Sequence, residues 1–234
     1  IGEAGYKGAR TILAKYVRSL ATQAATPAKR PKRRFETPPG LEMQIDWSPY
    51  WVEIDGRLTK VHALGCLLCH SRKLFIHFFP DEQQSTLLEG LMMACEYFGG
   101  VTVRVVLDNM AQAILGRVGS PSNPLWHPRF VEFFEWLGFQ PLPCRIREPD
   151  RKGKKEKSFR LVEDDFVKGS KFASWEELNA QARVWLDEKP KTANLRKHKT
   201  TGKVPNEAWR GEREYLIKFP DARFPACRQE VRIV

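Results

Sequence analysis

Residues 41–55 read LEMQIDWSPYWVEID, an alternation that sends Leu41, Met43, Ile45 and Trp47 to one side and Glu42, Gln44 and Asp46 to the other. A period of two belongs to a strand with one buried face and rules out a helix there. Asp55-Gly56 follows at once and is a two-residue hairpin turn signal. The runs KVHALGCLLCHS (60–71) and RKLFIHFFP (72–80) then supply two more apolar strands, so three consecutive antiparallel strands are expected.

After this meander the pattern changes. QSTLLEGLMMACEYFGG places Leu88, Leu91, Met92 and Cys95 at helical spacing and stops at Gly99-Gly100. VTVRVVLDN is a nearly continuous apolar run, as suits a buried strand beside a crossover helix. SNPLWHPRFVEFFEWLGF adds a helix with Phe130, Phe133, Phe134 and Leu137 inward, QPLPCRI another strand, and Phe159, Val162 and Phe166 the stripe of a further helix. The order strand, strand, strand, helix, strand, helix, strand, helix, helix predicts an α/β domain with a mixed sheet covered by helices.

Composition sets the partner class. The 234 residues are 42% hydrophobic, with fourteen Phe and seven Trp, enough for a core, so the chain is not a disordered basic tail. A formal charge of +11 on a folded chain favours a polyanion, most commonly nucleic acid. Its five Cys contain a single CxxC, Cys66 to Cys69, inside an apolar run, which suits buried thiols in a reducing compartment better than a zinc site. No run of about 18 apolar residues or leader pattern is present, so a soluble, cytoplasmic protein with no membrane partner is expected. Because the chain starts at Ile1 in what reads as mid-element, it is expected to be a piece of a longer protein.

Ahead of the strands, YKGARTILAKYVRSL (6–20) sets Ile12, Leu13, Tyr16, Val17 and Leu20 against Lys7, Arg10, Lys15 and Arg18, one basic amphipathic helix. Next, TQAATPAKRPKRRFETPPG holds Lys29, Arg30, Lys32, Arg33 and Arg34 among prolines, an extended linker able to follow phosphates along a groove.

Three acids fall at ends of elements in this reading. Asp46 closes the first strand, Asp108 closes the fourth, and Glu156 opens the helix after the fifth. Acids at ends of neighbouring strands can converge, and two divalent ions about 3.5–4 Å apart on a scissile phosphate need several carboxylates on rigid elements. Magnesium asks for one or two carboxylates per ion plus substrate oxygens. Each acid also has an ordinary reading: Asp108-Asn109 as a turn, Glu156 as a solvated helix charge with Glu163, Asp164 and Asp165 as rivals. Lys152, Lys154, Lys155, Lys157 and Arg160 around Glu156 are suited to hold the phosphates that an acid alone would repel.

QIDW, LDNM and KGKKEKSFRLVEDDF together resemble the three acidic motifs of integrase-type DDE transposases. Sixty-one residues separate Asp46 from Asp108 and forty-seven separate Asp108 from Glu156, in keeping with that pattern. Within the superfamily the chain resembles the IstA-type transposases of bacterial insertion sequences. FETPPGLEMQIDW is similar to their first motif, GYKGARTILAKYVRSL to the recognition helix that ends a helix-turn-helix, and TANLRKHKTTGKVPNEAWRGER to the segment after the last catalytic helix.

The resemblance implies an RNase H-like catalytic domain over 41–212, preceded by the end of a helix-turn-helix (1–21) and a basic linker (22–40), with 213–234 starting a C-terminal segment or small β-domain. It implies a catalytic and metal-binding triad of Asp46, Asp108 and Glu156 holding two Mg²⁺, for which Mn²⁺ may substitute, and groove contacts from Lys7, Arg10, Thr11 and Lys15. Double-stranded DNA at element ends and target, a homo-oligomer of two or more chains and an AAA+ ATPase helper are the implied partners. An RNase H-type nuclease that cuts without joining, and a DNA-binding remnant without catalysis, remain the alternatives.

Overall fold

The computed structural model describes residues 11–17, 36–108, 110–119, 123–143, 159–190, 192–199 and 201–225. The chain divides into two compact units, Ile1–Glu36 and Thr37–Val234. In the first, residues 11–17 are helical, as the periodicity predicts, and Ile12, Tyr16 and Val17 are exposed.

In the second unit, β1 (Glu42–Ile54) and β2 (Arg57–Leu68) pair antiparallel from Met43↔Leu68 to Ile54↔Arg57. Asp55 and Gly56 make the turn with φ of 50° and 70°, the positive values that a two-residue turn matching the strand twist requires. β3 (Leu74–Phe79) pairs antiparallel with β2, completing the predicted meander. Helix α1 (Gln84–Phe98) ends where the Gly99 N–H bonds back to the Cys95 carbonyl. It leads into β4 (Arg104–Leu107), which lies parallel to β1, with β7 (Gln140–Pro143) parallel to β4. The sheet order is β3-β2-β1-β4-β7, a mixed sheet, and β8 (Lys171–Phe172) pairs parallel with the far end of β1.

Alternation along the strands divides the core in two. Met43, Ile45, Leu64, Cys66 and Phe75 meet α1 and α2 (Pro128–Leu137) on one face. Tyr50, Val52, Val61, Ala63, Ile76 and Phe78 meet the helical residues 159–167, α3, and α4 (Trp175–Asp187) on the other. α3 comprises the described helical residues 159–162 and a π-helical turn, Glu163–Val167, in which the Lys168 N–H reaches the Glu163 carbonyl. Beyond them α5 (Pro205–Glu212) leads to Leu216 and Phe224, which join the α1/α2 side of the core. Cys66, Cys69 and Cys95 are buried thiols, as expected of the CxxC in its apolar run.

Two sequence expectations need correction. β5 (Ile114–Arg117) and β6 (Pro124–Trp126) form a separate two-stranded hairpin that the pattern did not disclose. Its strands are short, a register shift falls between Ile114 and Gly116, and the second strand opens with Pro124, features that dilute a strand signal. Asp46 also does not close the first strand: β1 runs on for eight more residues, because Trp47 to Ile54 keep pairing with β2 after β4 has ended.

Candidate active site

The last pair between β1 and β4 is Ile45↔Leu107. Asp46 follows Ile45 within β1 and Asp108 follows Leu107 just past the end of β4, so both acids fall at the carboxyl end of β4. Ile45 and Leu107 both face the α1/α2 core. The next residue along each strand turns to the opposite face, which for β1 is the side of Tyr50 and Val52 and hence of α3 and α4. On this edge of β1 the pairing with β4 ends at Ile45 and the pairing with β8 begins at Glu53. The acids thus border an opening in the sheet edge, where open α/β sheets bind ligands.

Asp46, Trp47, Glu82, Asp108, Met110, Ala111 and Gln112 line one cavity of about 480 Å³. Short-range hydrogen bonds hold several of these residues. The Trp47 N–H donates to Asp46 Oδ1 at 3.1 Å, and the Met110 N–H to the Asp108 carbonyl at 2.6 Å. Gln84 Nε2, at the start of α1, donates to the Gln112 carbonyl at 2.8 Å, tying the loop after Asp108 to the helix. Glu82 is held by His62, whose Nδ1 lies 2.6 Å from Glu82 Oε1. The sequence did not single out Glu82; it sits in a polar loop with no periodicity to mark it.

Two carboxylates on adjacent strands are hard oxygen donors of the kind magnesium takes, one or two at a time, beside water and substrate oxygens. No set of three His, Cys, Asp or Glu that could hold a metal ion occurs among the described residues. The donor set therefore fits Mg²⁺ through Asp46 and Asp108, with further ligands to come from outside the described residues or from substrate.

Glu156 lies outside the described residues, as do Lys152, Lys154, Lys155 and Lys157 around it and Lys7, Arg10, Lys29, Arg30, Lys32, Arg33 and Arg34. Thr11 and Lys15 are exposed on the helix of the first unit. Arg160 is exposed on α3, 3.6 Å from Asp164. The predicted stripe of that helix is present: Val162 and Phe166 are buried, and Phe166 packs on Phe78 and Trp185 with ring centroids at 5.7 and 5.5 Å.

Comparison with solved structures identifies the class of fold. A chain of the simian T-cell lymphotropic virus intasome in complex with PP2A regulatory subunit B56 gamma superposes with a TM-score of 0.54 at 15% identity, over 81% of this chain and 60% of that one. The catalytic core domain of BIV integrase does so with a TM-score of 0.50 at 14% identity, over 75% and 97%. The domain has the RNase H-like fold of integrase catalytic cores.

Sequence relatives are closer. The putative transposase for insertion sequence element IS5376 of Geobacillus stearothermophilus is 36% identical over 213 residues, 91% of this chain and 51% of that protein. The IS21 transposase of Pseudomonas aeruginosa is 30% identical, over 98% and 57%, and the IS640 transposase of Shigella sonnei 30% identical, over 95% and 70%. No family model matches. The chain belongs to the IS21 family of insertion-sequence transposases. It spans about half the length of the first two of these relatives.

Proposed function

We propose that the protein is a DNA transposase that cuts at the ends of a mobile element and joins the freed 3′-hydroxyls to target DNA. The observation that carries this reading is the adjacency of Asp46 and Asp108 in one cleft of an integrase-like core, in a chain of a transposase family. Water attacks a phosphodiester phosphorus at the element end, the bond to the 3′ oxygen breaks, and a 3′-hydroxyl is released. That hydroxyl attacks a target phosphorus, a new phosphodiester forms, and the target strand leaves with its own 3′-hydroxyl. No protein nucleophile is needed.

Asp46 and Asp108 would hold the metal, with Glu156 as the third acid of the site. Mg²⁺ held there would supply Lewis acidity for the attacking and leaving oxygens. Residues 1–21 are assigned to the end of a helix-turn-helix and 22–40 to a phosphate-tracking linker; the cations of 29–34, 152–157 and Arg160 position DNA backbones. Oligomerisation and an AAA+ helper follow from the family resemblance. Among the described residues no helix is long and apolar enough to cross a membrane.

The test is strand transfer with a duplex carrying the end of the encoding element, pre-cut to a 3′-hydroxyl, in Mg²⁺. Wild type should join it to plasmid DNA, while Asp46→Asn, Asp108→Asn and Glu156→Gln should bind DNA without joining. Equal joining by all four proteins removes the assignment, and cutting without joining by wild type replaces it with a nuclease.

A further inference from the structure

We propose that the connection between α4 and α5 is a further DNA-contact surface, on which Lys197, Lys199 and Lys203 hold the phosphate backbone without reading its sequence. This rests on the function proposed above and adds to it a surface outside the acidic cleft.

Arg196, Lys197, Lys199 and Lys203 are all exposed. Among the described residues none of the four is in an ion pair; the cations that are paired there lie elsewhere in the chain. All four belong to the stretch TANLRKHKTTGKVPNEAWRGER, to which the sequence reading gave a resemblance and no task.

A fixed backbone sets these cations apart from ordinary solvated lysines. The His198 N–H donates to the Lys203 carbonyl, and the His198 carbonyl accepts from the Gly202 N–H, both at 2.8 Å. Gly202 has φ of 69°, a left-handed value that lets the chain turn back there. The base is pinned to the start of β3. The Asn194 amide, fully buried, accepts from the Leu74 N–H at 2.7 Å and donates to the Leu74 carbonyl at 2.8 Å. The Asn194 carbonyl accepts from the Asn206 N–H at 3.0 Å, which closes the base onto α5. Binding an anion here would cost side-chain freedom and little backbone freedom.

Strand register locates the anchor. Leu74 pairs with Leu67, and Leu67 with Gln44, two residues before Asp46. The anchor is therefore two strands across from Asp46 and two residues back, roughly 10 Å and 7 Å. It lies on the β3 edge of the sheet, whereas Asp108 follows β4 on the other side of β1.

The chemistry of the surface selects the partner. None of the described residues from 192 to 212 is an exposed large hydrophobic residue. Protein interfaces centre on aromatic and apolar anchors and are depleted in Lys, so an acidic protein is the poorer fit. With no exposed ring to stack on a base, the lysines can serve only the backbone, which carries no sequence information. Lys197 and Lys203 also line a cavity of about 530 Å³ together with Glu207. That carboxylate repels an anion entering the cavity, so the surface suits a polyanion lying across the lysines and not a small anion captured within.

The experiment uses the full chain, an element-end duplex and a duplex of arbitrary sequence, with affinities measured by fluorescence anisotropy at several salt concentrations. The combined variant Lys197→Gln, Lys199→Gln, Lys203→Gln should melt like wild type and lower the slope of log affinity against log salt by about 2–3. It should weaken both duplexes alike, on the order of a hundredfold at about 0.1 M salt. Arg at the same three positions should restore wild-type binding. In wild type, an amine-modifying reagent should label the three lysines less when duplex is bound, and inorganic phosphate should not protect them.

A wild-type salt slope in the Gln variant overturns the proposal, as does labelling that DNA leaves unchanged. Protection by polyglutamate and not by duplex also overturns it, and makes the surface a dock for an acidic protein. Should the Gln variant fail to fold, the labelling of wild type decides. If wild type binds neither duplex, the proposed function has failed as well; if wild type and the Gln variant bind both with equal slopes, this surface alone has failed.

Discussion

Asp46 and Asp108 each follow directly on the last hydrogen-bonded pair, Ile45 with Leu107, of two parallel strands. Their adjacency comes from register, which is rigid, and it places two like charges together in a protein of net charge +11. On the proposed function, a cation held by both carboxylates would offset their mutual repulsion.

If Asp46 and Asp108 are the metal ligands proposed, Asp46→Asn and Asp108→Asn should each lower joining by more than about a hundredfold, beyond the roughly 10–100-fold cost of losing an outer partner. Asparagine keeps the shape and much of the hydrogen bonding, so melting temperature and DNA binding should stay near wild type. Strand-transfer rates set beside a melting curve and a binding isotherm check this. Joining that survives in either variant removes that residue from the site.

Glu212 should be a stability residue. It is buried on α5, and its two oxygens accept from the Gly40 N–H at 3.1 Å and the Ser71 N–H at 3.0 Å, linking the entry to β1, the β2–β3 turn and α5. Glu212→Gln turns one acceptor into a donor facing an N–H. The expected loss is about 2–3 kcal/mol, or roughly 4–12 °C of melting temperature for a domain of this size. An unchanged melting curve would show that the links are dispensable.

His77 should make the fold acid-sensitive. Burial, helped by the Arg183 guanidinium, lowers its pKa from 6.5 to about 4. Between those values the unfolded chain binds the proton and the folded chain does not, so this contribution to stability falls as pH drops from 6.5 towards 4 and is constant below. The change is about 2–4 kcal/mol across that window. Chemical denaturation of wild type and His77→Phe at several pH values tests it: the variant should lack this part of the acid slope, and parallel slopes would refute the assignment.

Much of this could be read in advance because local pattern carries it. The Asp55-Gly56 turn, the stripe Phe130, Phe133 and Leu137, and the Gly99 stop are each written within a dozen residues, and each is found in the fold. What escaped depends on partners distant in sequence. That β1 outlasts β4 is a fact about strand lengths, so Asp46 lies within a strand and not at its end. The seating of Phe159 on Gly65 joins residues far apart in the chain, and no periodicity announces it. Glu82 reached the cleft through a loop, where side-chain direction follows no repeat.

Arg160 offers a test of DNA contact that stability cannot confuse. Its side chain is exposed and its partner Asp164, one turn on, is 3.6 Å away and also exposed. Exposed pairs of this kind contribute roughly 0–1 kcal/mol, so Arg160→Ala should leave the melting temperature almost unmoved. If Arg160 holds a phosphate, the variant should bind DNA more weakly, and the slope of log affinity against log salt should fall by about one. Measuring affinity at several salt concentrations separates the outcomes: an unchanged slope assigns Arg160 to the solvated face of α3 alone, and a reduced slope assigns it to the DNA surface.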